Sequence, residues 1–380
     1  MNTSIPACIL LGTMLAVALP VAARETSDGA KSISFEPVPI PPETANLIPA
    51  DHPAIRYEGR VDQTKPAAPR INWQATRVVV DFEGPELTVL LELATSKAVA
   101  DIIVDGIPQR VELTRGKRAW RLEGALDDGW HQLVIFKRSE ASAGAMRFRG
   151  IVLKDGATVR ESAYKYQSRM IFFGDSITAG ACNEDGATDQ WDSVLTHNSA
   201  KSYGVLFAKA VNADVQNIAI SGMGMVTGWN NTIFAPQVWN RYAPVARGSL
   251  ADLESWVPDV VFTNFGENDA SYTQANGNPF PAEYVDTYID YIKTLRKTWP
   301  QAAIVILRGG MHHGKNDPNL ADAVDRVREA FKDDTLVYGY NFVRWTGTHP
   351  RVADHQAMAD ELVTFFKQNE GLKGFIPVSQ

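Results

Sequence analysis

The chain has 380 residues, 45% of them hydrophobic, and a formal net charge of −7 from 37 basic and 44 acidic side chains, with only two cysteines. This length and apolar content exclude a disulfide-stabilised mini-protein and a largely disordered chain, and they predict two or three folding units. The acidic balance, without a basic stripe, excludes a protein held to nucleic acid mainly by phosphate charge and favours a neutral substrate.

Residues 1–23 are predicted to form a cleaved signal peptide. The apolar run 9–21 is too short for a membrane span, and Val21-Ala22-Ala23 offers the small residues that signal peptidase requires. The stretch before this run lacks Lys and Arg, so a buried N-terminal segment or an uncleaved anchor is the alternative. We expect a secreted or periplasmic protein, cleaved near Ala23 and without a membrane span, in which Cys182 is the remaining cysteine and no internal disulfide forms.

Residues 24–53 are predicted to form a proline-rich linker. Repeated prolines disfavour both helix propagation and strand pairing. We expect this segment to lie extended on the next domain. Its prolines are Pro37, Pro39, Pro41, Pro42, Pro49 and Pro53.

Residues 54–160 are predicted to form a β-sandwich or jelly-roll domain. Apolar residues alternate through 85–93, which turns one face of a strand toward a core. Turn dipeptides such as Gly84-Pro85 and Asp105-Gly106 separate the short runs, as is typical of these all-β folds. Strands are expected at 78–82, 85–93, 102–104, 109–113, 131–136 and 146–153.

Residues 165–375 alternate buried strands with amphipathic helices, which predicts a doubly wound α/β domain with a mainly parallel sheet. Ligands of such sheets bind beyond the carboxyl ends of the strands. Strands are expected at 170–173, 215–220, 260–265, 303–307 and 335–340. Helices are expected at 202–211, 281–299, 320–331 and 354–368.

Four polar blocks lie where this domain would bind a ligand. Ser176 follows the first predicted strand, Gly222 the second and Asn268 the third, whereas His349 precedes the last helix. Each residue taken alone has an ordinary explanation as a helix cap, a strand-end glycine, an Asx-turn or a surface loop residue.

Together and in this order, the four blocks resemble the SGNH/GDSL hydrolase superfamily over residues 168–370. The region before them, with Phe-Lys-Arg-Ser-Glu-Ala at 136–141 and Phe-Arg-Gly at 148–150, is similar to carbohydrate esterase family 2. The resemblance implies an exported serine esterase that removes O-acetyl groups from polysaccharides of the xylan or mannan type. It implies no metal and no organic cofactor.

The resemblance also implies roles for the four residues. Ser176 is the expected nucleophile, which forms an acetyl-serine intermediate, and His349 is the base that takes its proton. The expected oxyanion donors are the backbone N–H groups of Ser176 and Gly222 and the side-chain amide of Asn268.

The acid of a catalytic triad is missing from its usual places. Thr346 and Gly347 stand three and two residues before His349, and neither side chain can serve. We therefore predict a Ser-His dyad in which a backbone carbonyl accepts a hydrogen bond from Nδ1 of His349. Asp354 and Asp192 remain open as substitutes from elsewhere in the chain.

Candidate substrate contacts lie beside the blocks. Trp345, Trp229 and Trp239 are expected platforms for a sugar ring, with Trp345 preferred, and the alternative is that two or more of them fill the core or the domain interface. Glu267 either binds a sugar hydroxyl or forms an ion pair. His312-His313 is expected in a solvated loop, because no further ligand stands at metal-binding spacing.

Two other functions remain open. A lipase or acyl-thioesterase of the same superfamily would need a long apolar groove, because fold does not fix the substrate. A glycan-binding pseudoenzyme would explain the missing acid as lost catalysis. Cys182 is expected to be a small buried residue and not an alternative nucleophile.

Overall fold

The computed structural model describes residues 33–42 and 45–377. The predicted signal peptide and its cleavage near Ala23 lie outside the described residues, as does the first part of the predicted linker. None of the helices in the described ranges is both long and apolar enough to cross a membrane.

The N-terminal half of the described chain is an antiparallel sheet of eleven strands, hereafter the β-domain. The strands are β1 (Ser34–Val38), β2 (Asn46–Ile48), β3 (Arg56–Glu58), β4 (Val61–Asp62), β5 (Arg70–Ile71), β6 (Arg77–Glu83), β7 (Leu87–Val104), β8 (Ile107–Glu123), β9 (Trp130–Lys137), β10 (Met146–Leu153) and β11 (Val159–Arg160). Their order in the sheet is β11-β6-β9-β7-β10-β5-β4, with β1 paired to β8, β2 to β10, β3 to β6 and β8 to β7.

The predicted all-β class of this domain is confirmed. The sequence pattern predicted the bounds of its longest strand, β7, incorrectly. The intervals 85–93 and 102–104 were expected as separate strands, but β7 continues through both. Its pairing with β8 shifts register between Leu93 and Lys97. An irregularity of this kind lets a strand bend and continue where the sequence pattern alone predicts an interruption.

The end of the predicted linker is built into the β-domain. Strand β1 pairs antiparallel with β8, and β2 pairs antiparallel with β10. The expectation that prolines prevent strand pairing is therefore wrong here. Pro37 lies within β1 opposite Trp120, and β1 has a neighbour on one side only, so a residue without an N–H is tolerated.

The C-terminal half is a five-stranded parallel sheet in the order β13-β12-β14-β15-β16, which confirms the predicted α/β class. The strands are β12 (Ser168–Gly174), β13 (Ala213–Ala219), β14 (Val260–Asn264), β15 (Ala303–Arg308) and β16 (Val337–Asn341). The helices are α1 (Ser176–Ala179), α2 (Tyr203–Ala210), α3 (Ala235–Val238), α4 (Glu267–Ala275), α5 (Tyr284–Thr298), α6 (His312–Asn316), α7 (Pro318–Glu329) and α8 (Val352–Gln368). Short 3-10 turns lie at Ala141–Ala143, Val194–Thr196, Ser199–Lys201 and Lys373–Phe375.

Helices cover both faces of this parallel sheet. Val261 of β14 packs in the core that α5 and α7 build, whereas its neighbours Val260 and Phe262 pack in the core built by α2 and α8. Strand β12 comes first in this sheet and has β13 on one side and β14 on the other. The second strand along the chain is therefore added on one side of β12 and the later strands on the other. A ligand crevice is expected at such a switch point, beyond the carboxyl end of β12.

Buried polar contacts join the β-domain to β13. Gln74 Nε2 donates to the Ala219 carbonyl at 2.9 Å and to Asn217 Oδ1 at 3.0 Å. At the other end of the strand, Arg77 Nη2 lies 2.6 Å from Asp214 Oδ1. The β-domain thus fixes β13 at both ends, including the end that leads to Gly222.

Candidate active site

Ser176 lies directly beyond the carboxyl end of β12, at the first position of α1. Asp175 caps this helix, with Oδ1 accepting from the Ile177 N–H at 3.0 Å. A Cβ at Gly174 would lie 2.1 Å from Thr178 Oγ1, so only glycine fits this tight turn. The local sequence Gly-Asp-Ser therefore presents the Ser176 hydroxyl at the sheet edge.

His349 reaches Ser176 from the loop before α8. Its Nε2 lies 2.8 Å from Ser176 Oγ, although the two residues are 173 positions apart. Both side chains are buried. The geometry is that of a base hydrogen-bonded to the hydroxyl it activates.

Asp189 supplies the carboxylate that the sequence analysis did not find. Its Oδ2 lies 2.7 Å from Nδ1 of His349, and its Oδ1 accepts from Nη1 of Arg351 at 2.8 Å. The expectation of a Ser-His dyad with a backbone carbonyl on Nδ1 is therefore wrong, because a side-chain carboxylate fills that place.

Neither substitute considered from sequence takes this position. Asp354 accepts from Arg344 Nε at 2.6 Å and from the Arg351 N–H at 2.8 Å, so it caps α8. Asp192 lies in the same loop as Asp189. Within the described residues, no contact joins it to His349.

Asp189 was not predicted as the partner of His349, because it lies 160 residues before His349 in a loop without helical or strand periodicity. The available signal was compositional. The loop after Ser176 carries Glu184, Asp185, Asp189 and Asp192, and a loop that leaves the nucleophile can return to it.

The partners of Asp189 also set its charge. Burial alone would raise the pKa of Asp189, but hydrogen bonds from His349 and Arg351 outweigh it and hold the pKa well below its usual range. Asp189 is therefore ionised at neutral pH. A carboxylate on Nδ1 fixes the tautomer in which Nε2 is free to accept the Ser176 proton.

Hydrogen bonds from Asn268 connect the other two polar blocks with the block that carries Ser176. Asn268 lies in the first turn of α4, and its Nδ2 donates to Asp175 Oδ2 at 3.0 Å and to the Met223 carbonyl at 3.2 Å. Burial raises the pKa of Asp175 to about 8, against an opposing hydrogen bond from the Ile177 N–H. Asn268 thus ties the Ser176 block to the Gly222 block.

Gly222 adopts a conformation that suits glycine. Its φ is +79°, and a Cβ there would lie 2.6 Å from the Asn230 nitrogen. Among the described hydrogen bonds, none is donated by the backbone N–H of Ser176 or Gly222. These two groups remain available as donors, whereas both Nδ2 protons of Asn268 already have acceptors.

Glu267 forms the ion pair that was one of its two alternatives. Its Oε1 lies 3.0 Å from His313 Nδ1, and its Oε2 accepts from the Gly314 N–H at 2.6 Å. Hydrogen bonding to Glu267 raises the pKa of His313. The predicted contact with a sugar hydroxyl is not supported, and His312 and His313 lie in α6 and not in the expected solvated loop.

The predicted tryptophans divide into core and surface. Trp239 is 7% exposed and packs edge-on against Trp299 at 5.8 Å between ring centroids, so its expected role as a platform is wrong. Trp229 is 58% exposed, and Trp345 is 38% exposed beside the ring of His312. These two remain candidates.

A tryptophan that was not predicted as a sugar platform contacts His349. The Trp191 ring stands edge-on to the His349 ring at 4.3 Å between centroids and is 49% exposed. It borders an open cavity of about 550 Å³ lined by Lys97 of β7 and by Asp189, Gln190, Trp191, Asp192, Ser193 and Val194.

Cys182 is buried, as expected. Its Sγ lies 3.6 Å from Nε2 of His197, and burial raises the pKa of its thiol. The candidate metal-ligand atoms of Cys182, Asp189 and His349 lie within 4.8 Å of one another. Since Asp189 and His349 engage each other and the thiol is protonated, the cluster fits acid–base chemistry better than metal ligation.

Comparisons with known proteins match both halves of the chain. The family model "Carbohydrate esterase 2 N-terminal" matches residues 57–162, and that of the GDSL-like lipase/acylhydrolase family matches residues 172–365. The cellulase/esterase CelE of Acetivibrio thermocellus is 31% identical over 334 residues, which cover 84% of this chain and 40% of that protein. The chain thus spans less than half the length of CelE.

Other relatives match over nearly their whole length. An acetylxylan esterase/glucomannan deacetylase of Cellvibrio japonicus is 25% identical over 342 residues, covering 86% of this chain and 91% of that protein. The structure of a family two carbohydrate esterase from Clostridium thermocellum in complex with cellohexaose superposes with a TM-score of 0.76 at 28% identity, covering 84% of this chain and 99% of that one.

Proposed function

The chain belongs to carbohydrate esterase family 2 within the GDSL-like hydrolases, and on this premise we propose that it is a serine esterase that removes O-acetyl groups from polysaccharides of the xylan or mannan type. The observation that carries the proposal is the hydrogen-bonded line from Ser176 Oγ through both ring nitrogens of His349 to Asp189. This arrangement activates a serine hydroxyl for acyl transfer.

The catalytic cycle follows from this line. Ser176 Oγ attacks the acetyl carbonyl while His349 Nε2 takes its proton, and Asp189 stabilises the imidazolium. His349 then returns the proton to the departing sugar oxygen, which leaves acetyl-Ser176. Water, deprotonated by His349, attacks this ester, and His349 then returns the proton to Ser176 Oγ as acetate leaves.

Each tetrahedral intermediate carries an oxyanion that needs preorganised donors. The backbone N–H groups of Ser176 and Gly222 fit this role because each lacks an acceptor within the described chain. The Asn268 amide joins them when it gives up one of its two present acceptors. Loss of one such donor typically costs about 2.7–4 kcal/mol of transition-state stabilisation.

The cavity beside the triad favours a sugar over a fatty acyl chain. It is open and lined largely by polar side chains, with Trp191 as its aromatic wall. A flat indole stacks on the C–H face of a pyranose, whereas a lipase or thioesterase would need a long apolar groove. The cellohexaose complex of the related esterase agrees with an extended sugar chain as ligand.

A glycan-binding pseudoenzyme is no longer favoured. It rested on a missing acid, and Asp189 lies 2.7 Å from His349. Export fits the proposed activity, because a polysaccharide substrate lies outside the cell. The signal peptide predicted over residues 1–23 would direct the protein there.

Acetate release tests this function. The wild-type protein is expected to release acetate from acetylated xylan or glucomannan and from p-nitrophenyl acetate, and Ser176→Ala should lower kcat by about 10³-fold or more. Cys182→Ala serves as the matched control for the other nearby nucleophile and should retain activity. Hydrolysis confined to long-chain p-nitrophenyl esters would instead favour a lipase, and full activity in Ser176→Ala would refute the assignment.

A further inference from the structure

The end of β9 and the segment that follows it carry buried polar side chains into the domain interface. Lys137, Ser139 and Glu140 are 1%, 0% and 2% exposed. A carboxylate removed from water in this way is tolerated only with specific partners. Glu140 belongs to the β-domain, yet its partners lie largely at the edge of the parallel sheet.

Glu140 binds the residue that precedes Gly222. Its Oε2 accepts from Ser221 Oγ at 2.5 Å, and its Oε1 accepts from the Ser221 N–H at 3.2 Å. Ser142 Oγ donates to Oε1 at 2.5 Å and helps to orient the carboxylate. One carboxylate therefore fixes both the side chain and the main chain of Ser221.

The backbone around Glu140 is itself held. Lys137 Nζ donates to the carbonyls of Ser139 at 2.7 Å and Glu140 at 3.2 Å. The Ala141 N–H donates to Gln74 Oε1 at 3.0 Å, and Gln74 Nε2 donates to the Ala219 carbonyl at 2.9 Å. The β-domain thus forms hydrogen bonds with the last residue of β13, Ala219, and with Ser221 just beyond it.

We infer that Glu140 is a positioning residue for the N–H of Gly222. The inference rests on the proposed function, since it presumes an oxyanion at that N–H. The Gly222 N–H belongs to the peptide unit that joins Ser221 to Gly222, so its direction follows the backbone of Ser221, which the Glu140 carboxylate holds. Because such a donor acts mainly on the tetrahedral intermediate, its displacement lowers kcat more than it weakens substrate binding.

Glu140→Gln tests the inference with two readouts. Gln keeps an acceptor for the Ser221 N–H but cannot accept from both Ser221 groups as a carboxylate does. For p-nitrophenyl acetate, kcat is expected to fall about 10-fold or more while KM changes less than about twofold. Hydrogen exchange in the 219–230 segment, which needs no substrate, is expected to accelerate by about 10-fold.

Asp214→Asn is the matched control. It weakens another buried contact between the domains, with Arg77 at 2.6 Å, at the opposite end of β13. It should lower Tm by a similar amount while leaving kcat and exchange at 219–230 near the wild-type values. Ser221→Ala, which removes only the hydroxyl donor, should fall between wild type and Glu140→Gln in kcat.

Two results would overturn the inference. One is wild-type exchange at 219–230 in Glu140→Gln, which counts whether or not the chain hydrolyses acetyl esters. The other is an equal loss of kcat in Asp214→Asn and Glu140→Gln when both variants lose the same Tm. In that case Glu140 would be only a structural contact. Failure of the proposed function has a different signature, namely wild-type protein that is inactive on every acetyl ester.

Discussion

Three donor groups from two residues bond the carboxylate of Asp189, namely the backbone N–H and Nδ1 of His349 and Nη1 of Arg351. His349 Nδ1 bonds one oxygen, and Arg351 Nη1 bonds the other at 2.8 Å. Arg351 Nη1 also donates to the carbonyls of Cys182 at 3.0 Å and His349 at 2.9 Å. The guanidinium thus fastens the acidic loop to the histidine loop, so Asp189 is held in place before any substrate arrives.

Asp189→Asn tests this residue directly. The amide leaves the geometry similar but stabilises the wrong histidine tautomer and no imidazolium, so kcat should fall by about 10²–10⁴. Steady-state kinetics on p-nitrophenyl acetate provide the measurement, with Asp192→Asn as the control. Full activity in Asp189→Asn would return the mechanism to a dyad.

Helices α2 and α8 meet at a histidine whose burial sets its charge. His355 Nδ1 accepts from the Tyr203 N–H at 3.2 Å, and the two rings stack with 13° between their planes. Burial lowers the pKa of His355 to about 3. Between this value and the unfolded value near 6.5, the unfolded chain binds a proton that the folded chain does not.

The pairing of these helices should therefore weaken in acid. Since the unfolded state gains the proton, stability is lost as pH falls from about 6.5 toward 3. Urea midpoints at pH 7 and pH 4.5 measure this loss, which His355→Gln should reduce because Gln does not titrate. His312→Gln, at an exposed position, is the control, and an unchanged pH dependence in His355→Gln would contradict the account.

Local sequence patterns predicted some elements of the fold and not others. Alternation over 146–153 predicted the bounds of β10, and buried apolar runs located all five parallel strands, because these signals lie within each element. Strand β1 depends on β8, which lies more than 70 residues farther along the chain, and periodicity carries no register over such a distance. The loop that carries Asp189 has no period at all.

On the scale of the whole molecule, the two halves share their cores. Trp73 and Ala141 of the β-domain pack with Phe173 of β12 in one apolar cluster. Ala75 and Phe136 join the cluster on the other face of the sheet. The α/β half therefore exposes apolar surface when it is separated from the β-domain.

Residues 165–375 expressed alone should accordingly fail as an enzyme. We expect aggregation, or a soluble protein with less than about 1% of the activity of the full chain, because both apolar packing and the Glu140 contact are missing. Sedimentation and p-nitrophenyl acetate turnover provide the measurements, with residues 31–380 as the control. A soluble, fully active half would show that the β-domain is dispensable.

The loop that holds Asp189 also carries Trp191 against His349. Evolution commonly alters specificity by exchanging loops over a constant scaffold. Here that route is restricted, because lengthening or replacing the loop also displaces Asp189, the carboxylate that bonds His349 Nδ1.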